Sequence, residues 1–473
     1  MKSEDQKPNK ILVFNALPYA NGPIHIGHLV GYIQADIWVR FQKLQGLQCL
    51  YLCASDAHGT PIMLSAAEIG VEPRDLAAKY TLQHQEDFSD FLIQFDNYHT
   101  TDSKENKELV ETIFASLSGA GHIEKKIIEQ AYDEQQKMFL PDRYVRGECP
   151  NCGQVDQYGD SCEHCGSTYK TTDLINPISV LSGEKPSLKT SEHYFLKLKN
   201  FESMLKGWIE TIDIHDSVKA KLGEWFVTGL RNWDISRDEP YFGFKIPGEE
   251  SKYFYVWLDA PVGYLASLKH LCDQDNNPYQ YDDYFSKDTT TRLIHFIGKD
   301  IIYFHALFWP AVLEGSGLKK PDGIYVNGFL TVNGKKMSKS RGTLIKARTY
   351  LKQLNPEYLR YYYAYKLSSG IDDIDLDSND FINRVNSDLV GKWVNIASRC
   401  AKFINNDFNN QLSSTIHDPE LLANFQGEAD AIAAMYQNRE TGQAMRAIMA
   451  LADRANQYLD QQKPWVLAND ESQ

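Results

Sequence analysis

Two separated clusters of nitrogen-bearing side chains are the residues of this sequence best suited to chemistry. The first contains His25 and His28 with Gly27 between them, and the second contains Lys336 and Lys339 in the string Lys-Met-Ser-Lys-Ser. Donors and cations of this kind stabilise the negative charge that grows on phosphate oxygens when a nucleophile attacks the α-phosphate of ATP. Histidines that only cap a core helix, and a loop that is merely charged, are the alternatives. The two strings together favour nucleotide activation.

The elements around the histidine pair predict how it is positioned. Ile11–Ala16 is a strand-like apolar run, and a helical pattern of apolar residues begins near His28 and continues to Leu44. The start of such a helix has unpaired amides and a positive dipole, which attract phosphate. Gly27 leaves room for an adenine ring to approach the backbone. Because the distant lysines must reach the same triphosphate, we expect a fold that returns to its first half.

The succession of elements predicts an α/β fold built on a doubly wound, parallel, Rossmann-like sheet. Strands are predicted at Ile11–Ala16, Gln48–Ala54, Tyr253–Leu258 and Arg292–Ile297, and helices over residues 28–45, 74–91 and 104–118. Such sheets bind nucleotides beyond the carboxyl ends of their strands. The residues expected just beyond strand ends are His25, Asp56, Asp259 and Gly298–Asp300. After Gly342 the chain is predicted to be largely helical.

Four of the eight cysteines form two Cys-x-x-Cys pairs, Cys149 with Cys152 and Cys162 with Cys165. Four thiolates can surround one tetrahedral Zn²⁺, and a closed site of this kind is structural. An iron site of the rubredoxin type and a redox dithiol are the alternatives. A disulfide framework is the poorer explanation in a reducing cytosol. The sequence therefore predicts one structural zinc knuckle.

Composition sets further limits. The chain has 473 residues, 42% of them hydrophobic, which is typical of a globular protein with several domains. No apolar stretch is long enough for a signal peptide or a membrane span, so we predict a cytoplasmic protein without a membrane partner. The net charge of −14 argues weakly against nucleic acid, but residues 335–402 contain 13 Lys and Arg against 7 Asp and Glu. A basic stripe of this kind is compatible with RNA.

Further strings accompany the two clusters, and together they resemble one family. These strings are Ala16–Gly22, Asp56–Pro61, Trp233–Asp238, Tyr255–Pro261, Phe296–Asp300 and Val332–Gly342. With His-Ile-Gly-His and Lys-Met-Ser-Lys-Ser both unsubstituted, the chain resembles the class I aminoacyl-tRNA synthetases. Within them it is most similar to the methionyl-tRNA synthetase family of the bacterial type with one zinc knuckle. The resemblance extends from about Ile11 to the last residue.

The resemblance implies a ligase that activates L-methionine with ATP, releases pyrophosphate, and transfers methionine from methionyl-adenylate to the 3′ end of tRNA(Met), the initiator included. It implies Mg²⁺ as the companion of ATP and no DNA partner. The implied catalytic residues are His25, His28, Lys336 and Lys339. The implied ATP contacts are Tyr19, Asn21, Gly27, Gly298, Asp300 and Lys339. The implied methionine pocket contains Leu17, Tyr19, Asp56, Trp233, Trp257, Ala260, Pro261, Tyr264, Phe304 and His305.

For the tRNA anticodon, the resemblance implies contacts from Asn395, Arg399 and Trp465. Amide and guanidinium edges pair with unstacked bases, and aromatic rings stack on them. A tryptophan in the core is the alternative for Trp465. The sequence stops at Gln473, where relatives continue with further helices, so we expect this helical region to be incomplete or differently packed.

The predicted domains follow from these assignments. Residues 1–116 and 253–329 are the two halves of the nucleotide-binding fold, 117–252 are an insertion with the knuckle, 330–390 hold the lysine loop, and 391–473 are the helical anticodon-binding domain. Two other functions are the alternatives. A catalytically inert, synthetase-like RNA-binding protein has no need for both clusters. A nucleotidyltransferase of the same superfamily for a smaller substrate has no need for the knuckle or the helical region.

Overall fold

This computed structural model describes residues 10–159, 162, 164–165, 167, 169–337 and 344–467. The strands are β1 Lys10–Asn15, β2 Gln48–Ser55, β3 Asn97–Thr100, β4 Ile123–Asp133, β5 Met138–Phe139, β6 Val145–Glu148, β7 Gln157–Tyr158, β8 Ile175–Ser179, β9 Ser187–Leu196, β10 Asp213–Ile214, β11 Trp233–Asp234, β12 Ser236–Asp238, β13 Lys252–Phe254, β14 Arg292–Gly298, β15 Gly323–Asn327, β16 Leu330–Val332, β17 Lys335–Lys336 and β18 Ile374–Leu376.

Helices connect these strands and form the C-terminal region. They are α1 Ile26–Leu44, α2 Thr60–Ile69, α3 Pro73–Asp90, α4 Lys104–Gly119, α5 Glu202–Ile209, α6 Asp216–Thr228, α7 Val256–Cys272, α8 Tyr281–Phe285, α9 Trp309–Gly315, α10 Ala347–Leu351, α11 Pro356–Lys366, α12 Ser378–Arg384, α13 Asn395–Asn406, α14 Pro419–Gly427, α15 Ala429–Gln437, α16 Thr441–Gln462 and α17 Pro464–Leu467. A π-helical turn, Phe304–Phe308, precedes α9.

The central sheet has six strands in the order β10-β15-β14-β1-β2-β3. All its neighbouring pairs are parallel, as predicted. The chain moves outward from β1 through β2 to β3, and then outward in the other direction from β14 through β15. The direction therefore reverses between β1 and β14, and this switch point leaves a crevice beyond their carboxyl ends. Residues 16–25 and 298–300 lie in that crevice.

Two hydrophobic cores hold this sheet. On β1, Leu12 and Phe14 pack into the core that contains α7 and α9, while Ile11 and Val13 pack into the core that contains α1. This alternation places the strand between helices on both faces, so residues 11–14 are all apolar. The tight packing fixes where the loops after β1 and β14 start.

One predicted element is wrong. Tyr253–Leu258 was expected to be a strand of the second half, but β13 ends at Phe254 and pairs with β12 outside the central sheet, and α7 begins at Val256. A short apolar run does not distinguish a strand from a helix. Leu258, Val262 and Leu265 recur at helical spacing and are fully buried, so a helix buries more of this segment's apolar side chains than a strand would. Asp259 consequently lies in the first turn of a helix, not beyond a strand end.

The insertion between the two halves forms its own sheets. The long strands β4 and β9 pair antiparallel over residues 123–132, and β11 extends this sheet to order β11-β9-β4-β5. The cysteine pairs lie near the smaller sheet β7-β6-β8. After β18 the described chain is helical, as predicted, and no residue of α13, α14 or α15 is buried.

Candidate active site

His25 and His28 form a rigid pair at the start of α1. His25 is the residue before the helix, and its Nδ1 accepts from the His28 amide at 3.3 Å, while the His28 Nδ1 accepts from the His25 amide at 3.3 Å. The two rings are stacked with centroids 3.5 Å apart. Burial lowers the pKa of His25 to about 4, and loss of solvation and the neighbouring His25 also lower the pKa of His28. Both rings are therefore neutral at pH 7 and keep an Nε2–H to donate.

The histidine pair borders a cavity of about 450 Å³ at the switch point of the sheet. Of the residues predicted for catalysis or ATP binding, the cavity is lined by Tyr19, His25, Gly27, His28, Gly298, Asp300 and Lys336. Asn21 belongs to the same loop, where its amide donates to the Tyr19 carbonyl at 2.9 Å, but it does not line the cavity. Lys339 lies outside the described residues, so its placement stays a prediction.

The two signature regions are joined by backbone hydrogen bonds. The Ile26 amide donates to the Ile345 carbonyl at 3.0 Å, and the Ala347 amide donates to the Ile24 carbonyl at 2.9 Å. At Gly27, an added Cβ would lie 2.3 Å from the methyl carbon of Met337, so this glycine makes room for the residue that follows Lys336. The predicted return of the chain to its first half is thus present in the structure.

A second cavity of about 410 Å³ adjoins the first. Leu17, Tyr19 and Ile301 line both cavities. Nine of the ten residues predicted for the methionine pocket line it: Leu17, Tyr19, Asp56, Trp257, Ala260, Pro261, Tyr264, Phe304 and His305. The tenth, Trp233, lies behind the wall, with its ring centroid 6.1 Å from that of Phe304.

Among the residues predicted to line this second cavity, the polar groups are of two kinds. The Tyr264 hydroxyl lies 2.8 Å from the His305 Nε2, and the His305 Nδ1 donates to the Ile301 carbonyl at 3.1 Å. Burial lowers the pKa of His305 to about 4, so this pair is neutral. In contrast, Asp56 has a buried Oδ1 without a partner among the described residues. A cation on a small ligand would satisfy that oxygen.

Sequence reasoning missed several residues of this cavity. Asp142, Arg143, Arg237, Tyr241 and Tyr255 also line it. The Arg237 guanidinium lies 3.6 Å from the centre of the Tyr255 ring and pairs with Asp234 at 3.2 Å. Arg237 stands in the string Trp233–Asp238, which was noted for its resemblance, so a signal for it was present. Asp142 and Arg143 belong to the insertion and carry no comparable signal.

The four predicted cysteines converge. Their sulfur atoms all lie within 4.8 Å of one another, and no other group of three or more His, Cys, Asp or Glu in the described part of the chain is arranged to hold a metal. Cys149 and Cys165 have sulfurs 3.7 Å apart, as do Cys152 and Cys162. A tetrahedron with metal–sulfur bonds of about 2.3 Å has edges of about 3.8 Å. The cluster therefore fits one tetrahedral metal ion and is too widely spaced for disulfides.

The residues predicted for anticodon contact also lie together. The Arg399 guanidinium is 4.9 Å from the centre of the Trp465 ring and forms an ion pair with Asp460. Asn395, one turn earlier on α13, donates to the Asn456 side chain at 3.2 Å. Trp465 is 37% exposed, so it is not a core residue. These positions form one surface, and its ligand stays a prediction.

A search for membrane-crossing helices among the described residues finds none with the required length and apolar character.

Comparison with known proteins agrees with this geometry. The model of the family described as tRNA synthetases class I (M) matches residues 11–401. A methionine–tRNA ligase of Francisella tularensis subsp. holarctica (strain OSU18) is 58% identical over 467 residues, which cover 98% of this chain and 69% of that protein.

Solved structures have the same fold. A methionyl-tRNA synthetase of Mycobacterium tuberculosis in complex with methionyl-adenylate has a TM-score of 0.76 at 24% identity, over 98% of this chain and 85% of that one. A second structure of the enzyme from that organism, also bound by methionyl-adenylate, has a TM-score of 0.77 at 23% identity, over 98% and 86%.

Proposed function

The chain belongs to the methionine-type class I tRNA synthetases, and from this premise we propose how its cavities join methionine to tRNA at the expense of ATP. It is a ligase, and the inert RNA-binding alternative is set aside. The observation that carries the proposal is the shared wall of Leu17, Tyr19 and Ile301 between the two cavities. Because the cavities adjoin there, a carboxylate held in one can meet a phosphate held in the other.

In the first step, the methionine carboxylate attacks the α-phosphate of ATP and pyrophosphate leaves. No general base is needed because the carboxylate is already a nucleophile, so positioning and charge stabilisation are sufficient. His25 and His28 donate through Nε2–H to the phosphate oxygens on which charge grows. Lys336 and Lys339 supply the positive charge that follows the pyrophosphate, together with Mg²⁺ bound to ATP. Gly298 and Asp300 hold the ribose side of the nucleotide.

The second cavity holds methionine. Its aromatic wall, with Trp257, Tyr264 and Phe304, suits a polarizable thioether, and a sulfur–ring contact contributes about 0.3–1.5 kcal/mol. The Asp56 oxygen without a partner accepts from the substrate ammonium, with the Tyr19 hydroxyl beside it. In the second step, the terminal ribose hydroxyl of tRNA(Met), the initiator included, takes the methionyl group from the adenylate. The surface around Arg399 and Trp465 contacts the anticodon.

The cysteine cluster binds one zinc ion that holds the insertion together. Four sulfur ligands leave no open coordination position, so the ion is structural. All eight cysteines are free of disulfides, as is usual for proteins of a reducing compartment, and this supports a cytoplasmic location. Metal analysis of the purified protein is expected to give about one zinc per chain, and a folded protein without metal would reject the site.

Methionine-dependent exchange of pyrophosphate with ATP tests the proposal. We expect exchange with methionine in the unmodified protein, and a loss of about 10²–10³ in rate for His28→Ala, since one preorganised donor contributes this much. His99→Ala is the matched control because its ring stacks on His270, outside both cavities. Absence of exchange in the unmodified protein would reject the proposed function, and equal rates in His28→Ala would remove His28 from the mechanism.

A further inference from the structure

A buried chain of charges leads from the surface to the methionine cavity. His58 is 1% exposed, and its Nδ1 lies 2.5 Å from the Asp259 carboxylate. On its other side, Nε2 lies 3.6 Å from the Asp102 Oδ1. Asp102 in turn accepts two hydrogen bonds from Arg74, at 2.7 and 3.0 Å. Together with Asp56, which lies two residues before His58, we call these residues the His58 cluster.

The His58 cluster is open at its inner end. Asp56 lines the methionine cavity, and Asp259 lies behind it on α7. Each carboxylate has a buried Oδ1 for which the described residues provide no hydrogen-bond partner. Burial raises the pKa of Asp56, and the nearby charge of Asp259 raises it further. Two buried carboxylates this close to each other both stay ionised only where nearby cations offset their charges.

The other neighbours of His58 carry no cation. The rings of Phe242 and Phe244 meet the imidazole edge-on, with centroids 5.2 and 4.6 Å away. The His58 carbonyl accepts from the Tyr19 hydroxyl at 2.7 Å, and the Tyr241 phenol stays neutral because burial and the nearby Asp259 charge raise its pKa. Burial opposes the charge of the ring, but the Asp259 and Asp102 carboxylates beside its two nitrogens raise the pKa of His58 to about 9.

Counting charges gives the role of this histidine. Asp56, Asp102 and Asp259 carry three negative charges, while Arg74 and a protonated His58 carry two positive ones. The Arg237 guanidinium on the same cavity is offset by its ion pair with Asp234. The sum for the cluster is therefore −1, which is the charge that one ammonium group neutralises. Resting on the proposed function, we infer that His58 is a positioning residue that keeps Asp56 ionised for the methionine ammonium. Without the charge of His58, the cluster carries −2 while one oxygen of Asp56 and one of Asp259 are buried. One of these carboxylates then binds a proton.

His58→Gln tests this inference, because the glutamine amide can still donate to one of the two carboxylates but cannot carry charge. The measurement is the KM for methionine in pyrophosphate exchange between about pH 6 and 8, where His58, with a pKa of about 9, keeps its charge. In the unmodified protein we expect KM to be flat. In His58→Gln we expect KM to rise about tenfold for each pH unit below a new ionisation. The KM for ATP is expected to stay unchanged, since the nucleotide cavity is untouched.

Restoring the charge should restore the flat profile. The double variant His58→Gln with Asp102→Asn returns the cluster to −1, and the side chain of Arg74, which is 70% exposed, tolerates the loss of its partner. His193→Gln is the matched control, since His193 also lies between two carboxylates, at 2.9 Å each, and lines neither cavity.

Each outcome decides the matter. A pH-independent rise in KM in His58→Gln that the double variant does not reverse would make His58 merely structural and overturn the inference. If His58→Gln does not fold, the single variant Asp102→Asn tests the inference. Its cluster has no net charge while His58 is protonated and a charge of −1 once His58 has lost its proton. The methionine KM should therefore be raised at pH 6 and fall at alkaline pH. An unchanged KM there would also overturn the inference. Absence of methionine-dependent exchange in the unmodified protein would instead reject the proposed function.

Discussion

Two buried histidines of this protein each lie between two carboxylates, and their surroundings differ. His58 lies in the catalytic core between Asp259 and Asp102. His193 lies in the insertion on β9, with Nδ1 2.9 Å from Asp234 and Nε2 2.9 Å from Asp238. Both imidazoles are 1% exposed. The same local arrangement therefore occurs twice, once beside the cavity proposed for methionine and once in the sheet of the insertion that contains β9.

The carboxylates around His193 are completely satisfied. Asp238 accepts from Gln130 at 3.1 Å and from Ser191 at 3.0 Å, and it pairs with Lys252. With Asp234, these residues make up what we call the His193 cluster. None of its side-chain atoms is among the buried atoms without a partner in the described chain. The His58 cluster, in contrast, leaves one buried oxygen of Asp56 and one of Asp259 without a partner.

A structural polar network can thus be distinguished from a ligand-binding one by whether all its buried polar atoms have partners. A fully satisfied network rigidifies the fold and needs nothing further. A network that ends in an unsatisfied buried oxygen lowers stability unless a ligand completes it. Damage to the His193 cluster should therefore appear in stability, and damage to the His58 cluster in substrate binding.

The largest expected effect is the loss of stability in Asp238→Asn. This change removes one partner of a buried ion pair and leaves the Lys252 charge, whose side chain is 11% exposed, without compensation. Such a loss costs about 3–5 kcal/mol. Denaturant unfolding measures it, with Glu129→Gln on the neighbouring strand as a surface control. A raised methionine KM without lower stability would break the comparison.

Asp56→Asn should act on binding. The neutral amide cannot replace the charge that faces the substrate ammonium, so about 1.5–3 kcal/mol of charged hydrogen bonding is lost. This corresponds to a rise of about 10–150-fold in the methionine KM, measured by pyrophosphate exchange, with the ATP KM as the internal control. Stability should not fall, because the buried unpaired charge disappears. A less stable variant with normal KM would contradict the assignment of Asp56.

The smallest expected effect concerns pH. Burial opposes the charge of His193, yet its bonds to Asp234 and Asp238 raise its pKa. A raised folded pKa stabilises the protein fully below the unfolded value of about 6.5, and this stabilisation is lost as the pH rises through the folded value. The unmodified protein should therefore exceed His193→Gln in stability by more at pH 6 than at pH 9. Unfolding curves at both pH values measure this, and an equal difference would mean that the pKa of His193 does not change on folding.

Much of the site was predictable from local spacing. His25 immediately precedes α1 and His28 lies in its first turn, and both line one cavity with Lys336. The cysteine pairs converge because a Cys-x-x-Cys turn brings its two sulfurs to one side. In both cases a few consecutive residues carry the chemistry. The apolar run Tyr253–Leu258 was misassigned because its short pattern fits both a strand and a helix.

The sequence by itself determined the family, and it predicted the chemistry of the two signature strings and the convergence of the four cysteines, because each depends on side chains close together in the chain. Only the tertiary structure decided which distant groups meet. His58 and Asp259 are 201 residues apart in the chain, and Trp233 lies behind the pocket wall that it was predicted to form. The order of the parallel strands brings such residues together, and charge balance among them depends on distances through space, which residue spacing along the chain does not encode.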